Sequence, residues 1–242
     1  MKERYYILIA FLFLAFFSCN QNESIPPVNL THEIFKDTAL LYLDSLEKEC
    51  RSGDLIVRLG DDLISDRIRF LSEKDHSYSH AGIIVMHNNQ KMVCNISPGD
   101  LVNTADTIRF DIIDSFLNVN ENLACALYRY DLSDSEKIEL EKVLNHYHDR
   151  KIHFDKIYDL KTDDKLYCSE MIYKSLKKVT NGRIEIAQSY VPRNMDHLIS
   201  LFFKKYNIDS TTIVHRKIIA IDNLYNNLHC RLVMKFTLKK MP

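Results

Sequence analysis

The sequence predicts an α+β fold, an antiparallel sheet with packed helices, and three observations predict it. Two β-rich apolar runs, HAGIIVMH (80–87) and KMVCNI (91–96), are separated only by Asn88-Asn89-Gln90, the spacing of an antiparallel hairpin. Two more strand-like runs, DLIVRL (54–59) and LACALYRY (123–130), are kept apart from other strands by stretches with helical apolar spacing. A composition of 46% hydrophobic and 27% charged residues is that of a globular protein, and 242 residues suit one compact domain with terminal extras.

Residues 1–18 begin with Lys2 and Arg4, run apolar from Tyr5 to Phe17 and stop at Ser18-Cys19, the pattern of a signal peptide. A helix over that run rises only about 20 Å, short of a roughly 30 Å hydrocarbon core, so a spanning anchor is not expected. Phe16-Phe17-Ser18-Cys19 resembles a bacterial lipobox, whose Cys is lipidated and becomes the mature N-terminus. Cleavage as an ordinary signal peptide is the alternative, and both routes export the chain. Residues 19–30 then form a lipidated N-terminus and tether, and the domain is expected over 31–242. The expected location is the cell envelope, on a bacterial membrane.

Thr31 to Arg51 carries apolar residues among charges and predicts a helix leading into Gly53-Asp54 and the 54–59 strand. Asp61 to Leu71 predicts a short helix. Ser133 followed by Glu136 is a capping-box pattern opening a helix to His148. After a polar loop from Asp149 to Lys165, Met171, Ile172, Leu176 and Val179 share one helical face, which puts Cys168 at a helix N-terminus. Asn194 caps an expected helix over 195–206, and VHRKIIAID (214–222) and RLVMKFTLK (231–239) are expected as closing strands.

Lys+Arg 32 against Asp+Glu 33 gives a formal net charge of -1, with no basic patch to gather phosphates, so nucleic acid is not an expected partner. Only 5 glycines are present, too few and too scattered for a phosphate-cradling loop, and no cofactor is expected. His146 and His148 lie two apart, on different faces of a helix, and suggest no metal site.

A thiol at a helix N-terminus meets unpaired N–H groups and the positive end of the helix dipole, both of which favour thiolate. Cys168 is therefore the candidate nucleophile, and it needs a base. Of ten histidines, His80 alone follows a polar stretch, EKDHSYS, and opens an apolar strand, at the rim where loop meets core. If the hairpin turns about Asn88-Asn89 with His87 opposite Gln90, Ser97 lies opposite His80 and Gly82 opposite Asn95. Asn95 then shares the face of His80 as a diagonal neighbour at roughly 7–8 Å and is a candidate to orient the imidazole; Ser97 is the rival. An oxidising compartment permits a disulfide among Cys50, Cys94, Cys125 and Cys230, although Cys94 and Cys125, inside strands, read as buried free thiols.

GDLIVRLG (53–60), SYSHAGIIV (77–85) and FDKIYDLKTDDKLYCSEMIY (154–173) resemble the permuted papain-like amidases, the YiiX and YaeF group related to the NlpC-type hydrolases. The resemblance spans about residues 52–200 and implies a circularly permuted papain-like (NlpC-type) fold, with the catalytic His preceding the Cys, as His80 precedes Cys168. It places the family's third polar residue, usually Glu, at Asn95, where this chain departs from the pattern. It makes Gly53-Asp54, Phe154-Asp155 and Tyr158 scaffold and pocket wall.

The expected activity is thiol hydrolysis of an amide or ester through an acyl-enzyme, on a peptide, peptidoglycan or acylated small molecule. Acyl transfer through the same thiol, or ligand binding without catalysis, are the alternatives.

Overall fold

In a computed structural model, the described residues are 30–99, 105–191, 203–204, 206–209, 213 and 216–239, with side chains of the first helix described from Thr38 onward. The chain divides into two units, Met1–Glu33 and Ile34–Pro242, and the sheet and the site lie in the second. The expected signal peptide, Cys19 and most of the tether fall outside the described residues. So does nearly all of the helix expected over 195–206, of which Phe203 and Lys204 are described and helical.

Helix α1 (Leu30–Glu49) precedes β1 (Asp54–Gly60), which is followed by α2 (Leu63–Ile68) and a 3₁₀ turn at Arg69–Leu71. Asp62 caps α2, its carboxylate accepting from the N–H groups of Ile64 and Ser65 at 2.9 Å each. The hairpin β2 (His80–His87) and β3 (Gln90–Asn95) comes next, then β4 (Arg109–Asp111), α3 (Ile113–Phe116) and β5 (Asn122–Tyr130). Asn88 and Asn89, with φ of 50° and 62°, make the two-residue turn. The ladder runs from His87 opposite Gln90 to Ile83 opposite Cys94, the register expected from the sequence.

Helix α4 (Asp134–Asp149) opens on the Ser133/Glu136 capping box. Short strands β6 (His153–Phe154) and β7 (Lys165–Leu166) pair parallel across the loop before α5 (Cys168–Val179). The chain ends with β8 (Ser189–Tyr190), β9 (Lys217–Ile218), α6 (Ile221–Tyr225) and β10 (Cys230–Thr237). The closing strand expected over 214–222 is thus mostly something else: Lys217–Ile218 pairs with Ser189–Tyr190 in a separate ribbon, and a short helix follows. Asn223 explains the early end, since its side chain accepts from the N–H of Ala220 at 2.8 Å and starts α6.

The main sheet has the order β10-β5-β1-β2-β3-β4, antiparallel throughout. β1 is central and buried on both faces, which is why it is apolar almost without interruption. Leu55, Val57, Ala81, Ile83 and Val85 pack with Met171, Ile172 and Leu176 of α5 and Leu140 and Leu144 of α4. On the opposite face Ile56, Ile84, Val93 and Leu127 pack with Ala39, Leu43 and Leu46 of α1 and Phe116 of α3. Burial also decides Gly82: a Cβ there would lie 2.4 Å from Val93 Cγ1 and 3.3 Å from Asn95 Cβ, so only glycine lets β3 approach next to His80.

Candidate active site

The amphipathic sequence of α5 buries Met171, Ile172, Leu176 and Val179 against the sheet, and this brings Cys168 at its first turn to the start of β2. Two side chains fix that turn by bracketing one residue, Ile219. Ile219 donates its N–H to the Tyr167 hydroxyl at 2.8 Å, and its carbonyl accepts from Ser169 Oγ at 2.6 Å. Buried Glu170 accepts from the N–H of Tyr167 at 3.2 Å, and burial raises its carboxyl to about 7 in spite of Lys174.

Burial raises the Cys168 thiol above its ordinary value, while the backbone N–H groups of Ala81, Ser169 and Cys168 itself pull the other way. That opposition separates Cys168 from Cys94 and Cys125. Cys125 is pushed up to about 12 by burial alone, and Cys94 is raised further by burial and by Asp111, with no donor opposing in either case. Cys50, Cys94, Cys125, Cys168 and Cys230 are all free thiols. Tyr158, backed against Tyr167 with ring centroids 4.6 Å apart, forms a wall near the sulfur and also lines a cavity of about 520 Å³ with Lys161, Gln188 and Arg216. Asp155 is buried and holds the Tyr158 loop by accepting from the N–H groups of Ile157 and Asp159.

His80 shares the parity of Ile84 along β2, and its ring lies 5.5 Å from that of Phe116 on the α1 face. The structure brings His80 and Asn95 together, with Nε2 and Oδ1 3.3 Å apart. Asn95 is fully buried, and its amide nitrogen donates to Asp111 Oδ2 at 2.9 Å and to the Val93 carbonyl at 3.3 Å. With both amide protons committed, Oδ1 is left to accept. Nε2 must then carry the imidazole proton, and Nδ1 keeps its lone pair. Ser97, the rival orienter, instead accepts from Arg109 Nη1 at 2.9 Å.

No hydrogen bond joins the Cys168 thiol to the imidazole. The sulfur meets the sheet at Ala81, one residue along from His80 and on the α5 side. Burial holds His80 well below the ordinary histidine value, and Arg58 and then Arg109 push in the same direction against the hydrogen bond that His80 donates to Asn95. Burial thus favours the uncharged form of both groups, and at Cys168 it works against the donors at the start of α5 that led the sequence to favour thiolate.

Three neighbours of His80 escaped the sequence reading. Asp111 closes the chain His80–Asn95–Asp111, on a three-residue strand with no periodic signal. Phe116 floors the imidazole. Arg58 is the direct cross-strand partner of His80, and a charge within the apolar run DLIVRL was the available signal.

Replacing Asp111 by Asn removes the charged acceptor from Asn95 and the carboxylate that faces Arg109 Nε at 2.9 Å, leaving that guanidinium to disfavour protonation of His80. Acylation of Cys168 by an activated ester is expected to slow by on the order of tenfold, about 1.4 kcal/mol of barrier, with ester saturation unchanged. An unaltered acylation rate in Asp111→Asn would remove Asp111 from the site.

Residues 49–224 match the sequence profile described as Peptidase_C92, permuted papain-like amidase enzyme, YaeF/YiiX, C92 family. No curated protein sequence matches the chain. A solved structure described as metalloprotein yiiX from Escherichia coli O157:H7 superposes with a TM-score of 0.60, covering 77% of this chain and 98% of that one at 17% identity. The residues around His80 do not suit a metal ion: Arg58 and Arg109 both act on the imidazole as cations, and among the described residues no three His, Cys, Asp or Glu side chains converge as ligands. The fold is the circularly permuted papain-like one, and, with more than half its length matched, the chain belongs to the permuted papain-like amidase family.

Proposed function

We propose that the protein is a cysteine amidase in which Cys168 is the nucleophile, His80 the base and Asn95 the group that orients it. The observation that carries this reading is the fixed tautomer of His80, whose Nε2–H is spent on Asn95 so that Nδ1 is free to take a proton. The sulfur attacks a carbonyl carbon as Nδ1 takes the thiol proton, and His80 then passes that proton to the leaving amine. Water, activated by the same Nδ1, releases the acyl group. Attack requires the thiol and Nδ1 to come into reach as substrate binds, and catalytic hydrogen bonds commonly close only at that stage. N–H groups at the start of α5 are the available donors for the oxyanion.

Intact-mass measurement after mixing with p-nitrophenyl acetate is expected to show one acetyl group, mapped to Cys168 and absent in Cys168→Ala. His80→Ala should acylate at least 100-fold more slowly. Acetylation spread over surface lysines with Cys168 unmodified would overturn the reading, and an acyl group passed to an added amine faster than to water would turn it into an acyltransferase.

The cell-wall peptides of the envelope are the proposed supply of substrate, and Cys19 the proposed lipid anchor, supported by the apolar run before it. Cys19→Ser is expected to move the protein from the membrane fraction to the soluble one. An unchanged distribution would count against the anchor.

A further inference from the structure

Arg58 stands directly opposite His80 across the β1–β2 ladder, and both side chains lie on the α1 face of the sheet. Its guanidinium is 5.1 Å from the centroid of the Phe116 ring, and Nη1 donates to Asn122 Oδ1 at 2.6 Å. Those contacts leave most of its hydrogen-bonding unused. Nε is buried without a partner, Nη2 has none among the described residues, and no carboxylate there forms an ion pair with Arg58. The other cation, Arg109, is engaged by Asp111 and Ser97.

Asp62, Glu121 and Asp111 act on Arg58 only from beyond ion-pair distance, burial still disfavours its charge, and that charge opposes protonation of the histidine beside it. Nη2 is the donor left over, and a carboxylate oxygen would meet it in a charge-assisted hydrogen bond. Arg58 is part-exposed, and its Nε is closed to water and so to any ligand, which leaves Nη2 as the end of the guanidinium that an incoming group can reach.

We infer that Arg58 binds a carboxylate on the acyl side of the substrate, making the enzyme selective for acyl chains that end in a negative charge. The inference rests on Cys168–His80 chemistry. It adds that bound carboxylate neutralises Arg58 and so makes His80 a better base only when the right substrate is present.

The test compares two activated esters with acyl chains of equal length, mono-p-nitrophenyl adipate, which ends in carboxylate, and p-nitrophenyl hexanoate, which ends in methyl. With either, an Sγ–C bond forms at Cys168, the C–O bond to p-nitrophenolate breaks, and the thiol proton goes to His80. The wild type is expected to acylate faster with the adipate ester by on the order of tenfold, as a single charge-assisted hydrogen bond implies. That ratio should fall towards one in Arg58→Gln, take an intermediate value in Arg58→Lys, and shrink in the wild type when salt is raised from about 0.05 to about 0.5 M. Because the ratio is read within each protein, a general loss of activity cancels, and the salt series in the wild type stands should Arg58→Gln fail to fold. Hexanoate acylation of Cys168 with no adipate advantage, or an advantage that persists in Arg58→Gln, would overturn the role of Arg58 alone. Failure of both esters to acylate Cys168 would instead overturn the amidase reading beneath it.

Discussion

β1 and β2 are covered on both faces, by α4 and α5 on one side and by α1 and α3 on the other, so polar groups at the ends of these strands have little water to help them. Each polar group of the site answers to that constraint. Asn95, fully buried, has to satisfy its amide within the protein, and does so through Asp111, Val93 and His80. The Cys168 thiol and the His80 imidazole both lose the solvation that would favour their charged forms. Close packing sets the geometry as well, since β3 reaches Asn95 towards His80 only because Gly82 has no side chain.

Burial that favours the neutral forms changes how the site works. Where thiolate and imidazolium are formed in advance, charge separation precedes substrate binding; in the proposed mechanism it accompanies attack, with His80 as the general base. The departure from the usual Glu at Asn95 fits this arrangement. A carboxylate is still present, but it stands one residue back at Asp111, where it orients the amide and faces Arg109 instead of meeting the imidazole. Direct contact with a carboxylate would raise the basicity of His80; contact through Asn95 fixes the tautomer with less effect on charge.

Much of the framework was legible in the sequence because local signals and burial agreed. The Asn88-Asn89 turn set the register that puts Asn95 beside His80, and the apolar face of α5 set the position of Cys168. What was not legible depended on long-range partners. The 214–222 stretch has the composition of a strand, yet Ile219 is used to hold the start of α5 through Tyr167 and Ser169, residues about 50 positions earlier. Asp111 lies on a strand too short to show a period, and Ser97 was drawn to Arg109, whose position the hairpin alone does not give. The effect of burial on the Cys168 thiol was not legible either, because helix-end placement is visible in sequence and desolvation is not.

In the proposed mechanism His80 rests as a neutral imidazole protonated on Nε2. Two-bond ¹H–¹⁵N correlation spectra of protein labelled in histidine, with the His80 signals assigned by their loss in His80→Gln, report this directly. Shifts of a neutral ring with Nε2 protonated and Nδ1 bare, unchanged as pH is lowered from 8 through the ordinary histidine value of about 6.5, are the predicted result. An imidazolium at neutral pH, or a neutral ring carrying its proton on Nδ1, would contradict the account.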